Sequence, residues 1–150
     1  MAIELDLLLE EVRALKLPAG EYVLAGSFPM GLAGLRAVND VDVIVSDSLW
    51  EELIHRYSFE YNSVGALCIR IGHIEILNSW YGHKGNVSEL IAQAQTVREL
   101  PVMPLEWVRQ WKGFSGRPKD LADLELIDAH LASYLPRDTR SSIRPPEGCA

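Results

Sequence analysis

Residues 24–45, LAGSFPMGLAGLRAVNDVDVIV, decide the fold, because they join two apolar strand patterns through a turn and a short helical segment. The run EYVLAG at 21–26 predicts a buried strand. Pro29 is suited to the first turn of a helix, and we expect that helix to end near Gly34. DVDVIV at 40–45 then predicts a second strand. The stretch therefore predicts a strand, a tight turn, a short helix and a second strand.

Two carboxylates open the second of these strands. Side chains alternate across a strand, so Asp40 and Asp42 are expected on one face while Val41 and Val43 take the other. Two carboxylates directed at one point repel each other, and Mg²⁺ resolves this by taking one or two carboxylates together with phosphate oxygens. The alternative is a pair at a strand end that faces solvent, which the DVD motif by itself favours.

The turn between the first strand and the helix favours a phosphate. Gly26 permits close approach of the backbone, and Ser27 adds a hydroxyl that could instead cap the helix. Gly26 and Gly31 have the glycine spacing of a P-loop, but Leu32 and Ala33 stand where that motif needs Lys and Ser or Thr. The sequence also lacks G-x-G-x-x-G, so neither a P-loop nor a dinucleotide-binding motif is supported.

Helical and strand patterns alternate along the rest of the chain, which predicts an α/β or α+β fold with a mixed β-sheet flanked by helices. The last helix is expected to direct four apolar side chains inward: Leu121, Leu124, Ile127 and Leu131. The further expected elements are helices at 4–16, 48–57, 104–112 and 119–134, two strands within 66–77 joined at Gly72, a loop at 113–118, and a helix within 86–100 that loses its pattern towards Thr96.

Length and composition indicate one domain. The chain has 150 residues, 48% of them hydrophobic, so we place a single domain at 1–135 and a flexible tail at 136–150, where periodicity is lost and proline is gained. The two cysteines, Cys68 and Cys149, are too few for a disulfide framework. The acidic N-terminus is unlike a signal peptide and no apolar run reaches membrane length, so a cytoplasmic protein without a membrane partner is expected.

The charge balance bears on the partners. Fourteen basic residues against 21 acidic ones give a net charge of −7, which argues against long duplex DNA as a partner. A nucleotide or a short RNA end is still compatible with this charge, because divalent metal ions can bridge carboxylates and polyphosphate.

The order Gly26–Ser27, short helix, Asp40-x-Asp42 and hydrophobic run resembles the signature of the nucleotidyltransferase superfamily, whose fold is that of DNA polymerase beta. More narrowly, residues 24–45 are similar to the group that includes the abortive-infection-type toxins. The later stretch 111–127, WKGFSGRPKDLADLELI, also resembles this group. The two matches are far apart and in the expected order.

The resemblance implies a third carboxylate on a later strand. Glu75 in HIEIL is the natural candidate and Glu60 is the second choice, although Glu75 could also be an exposed position on a hairpin. Asp40, Asp42 and Glu75 would then be the catalytic residues and the ligands of Mg²⁺ or Mn²⁺. His73 is expected on the same face as Glu75 by alternation, and a surface position is the more ordinary account of it.

Four basic residues are candidates to contact a triphosphate: Arg36, Lys112, Arg117 and Lys119. We favour Arg36 and Lys119, which join Gly26 and Ser27 as expected nucleotide-binding residues. Each has a structural alternative. Arg36 could clamp the turn, Lys112 could be a solvated helix end, Arg117 could pair with an acidic neighbour, and Lys119 could pair with Asp120.

The resemblance also implies an activity, the transfer of an NMP group from an NTP to an acceptor hydroxyl with release of pyrophosphate. The acceptor could be RNA such as tRNA, a protein or a small molecule, and a homodimer or a cognate partner protein could complete its site. The alternative is a non-catalytic nucleotide-binding or regulatory protein of the same fold, within a toxin–antitoxin pair.

Overall fold

The computed structural model describes residues 3–80 and 87–134. Within these ranges the chain forms six helices and seven strands. In chain order they are α1 (Leu5–Ala14), β1 (Tyr22–Ala25), α2 (Phe28–Leu32), β2 (Val41–Val45), α3 (Asp47–Arg56), β3 (Glu60–Tyr61), β4 (Leu67–Ile71), β5 (Ile74–Leu77), α4 (Val87–Ala92), β6 (Gln95–Val97), β7 (Leu100–Val102), α5 (Leu105–Ser115) and α6 (Pro118–Ala132).

The strands form one mixed sheet in the order β3-β4-β5-β2-β1-β7-β6. Strand β2 runs parallel to β5, and β1 runs parallel to β7. The other neighbouring strands are antiparallel. The expected mixed sheet with helices is thereby confirmed, and so are the strand, short helix and strand within residues 24–45.

The main hydrophobic core lies between one sheet face and the helices α1 and α3. Apolar residues at helical spacing supply the helix side, which is why both segments form amphipathic helices. Ser46 caps α3 by accepting the backbone N–H of Leu49 at 3.2 Å, and Glu21 accepts the Ser46 hydroxyl at 2.8 Å. The fully buried residues of this core include Leu8, Leu9, Val12, Leu24, Val41, Val43, Leu53, Ile69 and Ile76.

The opposite face of the sheet carries the polar site. In its middle Val23 and Ile44 are fully buried, and α4 contacts the strands β1 and β2 that hold them. Towards the carboxyl end of β1 and the amino end of β2 the residues on this face become polar. None of the described helices is long and apolar enough to cross a bilayer.

The chain divides into two compact units, residues 1–104 and 105–150. The first unit contains the sheet, and the second contains α5 and α6. The single domain expected at 1–135 stays a prediction. The tail expected at 136–150 lies outside the described residues.

The segment 86–100 differs from its expected helix. The helix ends at Ala92, and the chain then forms the β6–β7 hairpin. The turn of this hairpin is made by Arg98 and Glu99, whose φ angles are 50° and 68°. Such turns normally use Asn and Gly, so the sequence carries no ordinary signal for this hairpin.

The helices of the second unit also depart from expectation. α5 continues to Ser115 through part of the expected loop. In α6, Ile127 is buried as predicted, whereas Leu121 is 53% exposed. Asp120 and Asp123 are buried instead. Two basic residues of the unit pair with them: Lys112 Nζ lies 2.8 Å from an Asp123 oxygen and 3.5 Å from an Asp120 oxygen, and Arg117 also pairs with Asp120.

Candidate functional site

The Gly26 turn lies directly against a carboxylate. Gly26 follows β1 with φ of +68°, a conformation that residues with a side chain rarely adopt. A Cβ atom at this position would collide with the carboxylate of Asp42. Since Ala25 pairs with Asp42 in the antiparallel β1–β2 register, the collision follows from the sheet itself. Only glycine therefore lets the turn and the carboxylate approach this closely.

Asp42 and Glu75 form a carboxylate pair. They are partners in the parallel β2–β5 register, so their side chains leave the same face of the sheet. The Glu75 side chain is 17% exposed and is not the exposed hairpin position considered as an alternative. Burial raises the pKa of Asp42 to about 7, and repulsion from Glu75, then from Asp40, adds to this rise. Burial and the neighbouring carboxylates therefore disfavour the ionised form of Asp42.

Asp40 lies just outside the strand. β2 begins at Val41, whose backbone N–H donates to the carbonyl of His73 at 2.9 Å. Asp40 is exposed, and its charge contributes to the raised pKa of Asp42. It is therefore an exposed neighbour of the carboxylate pair.

Ser27 occupies the N-cap position, directly before the short helix α2. Its backbone carbonyl accepts the N–H groups of Met30 and Gly31, at 3.0 and 3.4 Å. The side chain is half-buried and makes no capping hydrogen bond to the helix, so the capping alternative is not what the structure has. The hydroxyl stays a predicted phosphate contact.

Two residues that the sequence did not single out contact Glu75. Asn62 Nδ2 donates to Glu75 Oε1 at 3.0 Å, and Arg70 Nη2 lies 3.8 Å from the same oxygen. Arg70 Nε also lies 3.4 Å from Glu60 Oε1. Glu60, the second choice for the third carboxylate, is 61% exposed and lies on β3, two strands beyond Glu75.

Cys68 lies beside this polar group. It pairs with Leu77, two residues beyond Glu75 along β5, and its side chain is buried. Burial raises the pKa of the Cys68 thiol to about 11, and the charge of Glu75 adds to this effect. The thiol is therefore protonated at neutral pH, which makes it a poor nucleophile.

His73 faces away from the carboxylate pair. It belongs to the β4–β5 turn, because β5 begins only at Ile74, so the expected alternation with Glu75 does not apply. Its Nδ1 lies 2.7 Å from Glu11 Oε2, and its backbone N–H donates to Glu11 Oε1 at 3.0 Å. These contacts lower the pKa of Glu11, the backbone hydrogen bond most of all. The surface account of His73 is the correct one.

The candidate basic residues fall in both units. Arg36 is exposed in the loop before β2, and its Nη1 donates to the carbonyl of Ala37 at 3.0 Å. Lys119 is exposed in the first turn of α6, within the second unit. Arg117 pairs with Asp120 at 2.7 Å, as its structural alternative stated. The solvated alternative for Lys112 is wrong, because that side chain is only 2% exposed.

The oxygen donors of the carboxylate pair suit Mg²⁺. Among residues 3–80 and 87–134, no three His, Cys, Asp or Glu side chains form a group that could hold a metal ion. Mg²⁺ does not need such a group, since it is commonly held by one or two carboxylates and by substrate phosphates. Asp42 and Glu75 supply two carboxylates beside a glycine turn, and a cation there would relieve their repulsion.

No family model and no curated protein matches this chain. The function is therefore inferred from the arrangement of Gly26, Asp42 and Glu75. Chemically, that arrangement offers two acidic groups, one of them directly against the Gly26 turn, that can hold a cation or accept a proton.

Proposed function

We propose that this protein is a metal-dependent nucleotidyltransferase with the fold of the DNA polymerase beta-like superfamily, located in the cytoplasm. It moves an NMP group from an NTP to an acceptor hydroxyl. One observation carries the proposal: Asp42 lies opposite Glu75 in the sheet and directly against the Gly26 turn. The turn predicted to contact a phosphate and two carboxylates of the kind that Mg²⁺ prefers thereby lie side by side.

Asp42, with Asp40 beside it, would hold the Mg²⁺ or Mn²⁺ that binds the NTP, and Glu75 would complete the metal site on the acceptor side. When bound, the cation neutralises triphosphate charge and lowers the pKa of the acceptor hydroxyl. The Gly26 backbone and the Ser27 hydroxyl would contact the phosphates.

In the transfer, the acceptor oxygen forms a bond to the α-phosphorus. The bond from this phosphorus to the bridging oxygen of the β-phosphate breaks, and pyrophosphate leaves with that oxygen. Glu75 lies on a separate strand from Asp42, away from the Gly26 turn, so we assign it to the acceptor side. There it would take the acceptor proton, a contribution of about 10²–10⁴-fold for a positioned general base.

Labelled nucleotides test this proposal. The protein is incubated with Mg²⁺ and NTPs carrying the label on either the α- or the γ-phosphate, together with total RNA, with proteins or with small hydroxyl compounds. Transfer of the α-label alone supports nucleotidyl transfer and identifies the class of acceptor. Transfer of the γ-label would instead indicate phosphoryl transfer. NTP binding without transfer to any acceptor class would favour the non-catalytic alternative.

Three matched variants assign the roles. Glu75→Gln is expected to bind Mg²⁺·NTP nearly as well as wild type while transferring about 10²–10⁴-fold more slowly. Asp42→Asn is expected to lose both binding and transfer. Glu60→Gln is the control, because Glu60 also pairs with Arg70 but lies on an exposed strand away from Asp42. Wild-type transfer by Glu75→Gln would show that Glu75 is not the third carboxylate.

A further inference from the structure

The side chain of Asn62 connects a turn to the candidate site. Asn62 follows β3, and its Oδ1 accepts the backbone N–H groups of Val64 and Ala66, at 3.1 and 2.9 Å. Its Nδ2 donates to Glu75 Oε1 at 3.0 Å. One amide thus closes the β3–β4 turn with its oxygen and contacts a carboxylate thirteen residues away with its nitrogen.

These partners fix the orientation of the amide. The oxygen must face the two backbone N–H groups, since only an oxygen can accept them, and the nitrogen must therefore face Glu75. A hydrogen bond between an amide N–H and an ionised carboxylate is stronger than a neutral one. The amide is consequently held by three hydrogen bonds.

We propose that Asn62 is a positioning residue for Glu75, and that it sets the rotation of this carboxylate. Asn62 and Arg70 both contact Oε1, but the amide contact is shorter, at 3.0 Å against 3.8 Å. Arg70 is also half-exposed and shared with Glu60. Asn62 is the neutral partner of the two, so it orients Glu75 without adding a charge to the pair with Asp42.

The hydrogen bond itself is tested by NMR of the ¹⁵N-labelled protein without nucleotide or metal. Glu75→Gln should move the side-chain amide signals of Asn62, because the acceptor loses its charge. Glu60→Gln should leave them in place. Asn78 is the internal control, since its amide donates to the carbonyl of Val45 at 2.9 Å and should not respond to either change. Asn62 signals that ignore Glu75→Gln would overturn the proposal.

Replacing the Asn62 amide by a carboxylate tests the coupling between Asn62 and Glu75. In Asn62→Asp, one oxygen can still accept the two turn N–H groups, while the other meets the Glu75 carboxylate. We expect the thermal midpoint to fall by about 3–6 °C. In the Glu75→Gln background the same substitution should cost at most about half of this, because the glutamine amide can donate to the new carboxylate. An equal loss in both backgrounds would mean that Asn62 serves the turn alone.

The consequence for transfer rests on the proposed function. Asn62→Ala is expected to lower kcat by about 10- to 100-fold, as for other partners that orient a functional carboxylate, with KM for the NTP nearly unchanged. A rise in KM with kcat unchanged would contradict the positioning role. If the wild-type protein transfers no nucleotide, the proposed function fails, while the NMR and Asn62→Asp experiments still decide the role of Asn62.

Discussion

Asp42→Asn is expected to stabilise the metal-free protein at pH 8 and to leave its stability nearly unchanged at pH 4. The cause is the raised pKa of Asp42, for which burial is the largest contribution and repulsion from Glu75 the next. Asparagine keeps the shape of the side chain and its polar character. It removes the charge that the folded state disfavours.

The sign follows from proton binding. The folded protein holds the Asp42 proton more tightly than the unfolded chain, so the contribution of Asp42 to wild-type stability falls as the pH rises from about 4 towards 7. Above pH 7 the full cost is present. A rise in pKa from 3.8 to about 7 corresponds to about 4 kcal/mol. We expect the variant to regain about 2–4 kcal/mol at pH 8, because some of the burial cost persists for the amide.

The assay is urea unfolding of both proteins in EDTA at a series of pH values from 4 to 8. The difference in unfolding free energy should grow along this series, and the thermal midpoint at pH 8 should rise by about 2–4 °C for each kcal/mol. Glu60→Gln is the control and should change stability by less than about 0.5 kcal/mol, since that side chain is 61% exposed. A difference independent of pH, or a destabilised variant at pH 8, would refute the argument.

Three further changes have expected outcomes. Gly26→Ala should lower the thermal midpoint and weaken nucleotide binding, because the φ of +68° is strained for alanine and the methyl group collides with the neighbouring carboxylate. Replacing Arg98 and Glu99 by Asn and Gly should stabilise the protein by about 1 kcal/mol in urea unfolding, since both residues have positive φ. Lys112→Met should destabilise the fold by about 3–5 kcal/mol, because the buried Asp123 carboxylate loses its partner at 2.8 Å. Unchanged unfolding curves would contradict each of these expectations.

Many helices and strands of the first unit could be predicted because glycine and proline residues mark the turns between them. Gly26, Pro29 and Gly34 mark the turn and the short helix, and Gly72 marks the β4–β5 hairpin. The β6–β7 hairpin had no such signal. Its turn uses Arg98 and Glu99 at φ angles that favour glycine or asparagine, so nothing indicated strands where the helical pattern is lost towards Thr96.

The buried face of α6 could not be predicted from the spacing of its apolar residues. The apolar spacing favoured Leu121, yet Asp120 takes a buried position because Lys112 and Arg117 pair with it. A buried aspartate and its partner are separated by several residues in sequence. The ion pairs therefore determine which side chains of α6 are buried, and the hydrophobic pattern of α6 alone could not predict this.

The sequence proposed residues for the candidate site but could not give their contacts. Gly26, Asp42 and Glu75 were selected from local pattern and resemblance. That Asp42 meets Glu75 depends on β5 lying beside β2 in a parallel register. Asn62 and Arg70 were missed for the same reason, since only the strand pairing brings them to Glu75.

Binding of a nucleoside triphosphate at Asp42 through a divalent cation is tested most directly by calorimetry. ATP, GTP, CTP and UTP are titrated into wild type, Asp42→Asn and Glu60→Gln, each with Mg²⁺ and with EDTA. At least one NTP should bind wild type and Glu60→Gln in Mg²⁺, and at about 100 times its dissociation constant it should add about 2.7 kcal/mol of stability. Asp42→Asn and the EDTA samples should show no binding. Failure of all four nucleotides to bind wild type in Mg²⁺, or equal binding by Asp42→Asn, would contradict the proposed site.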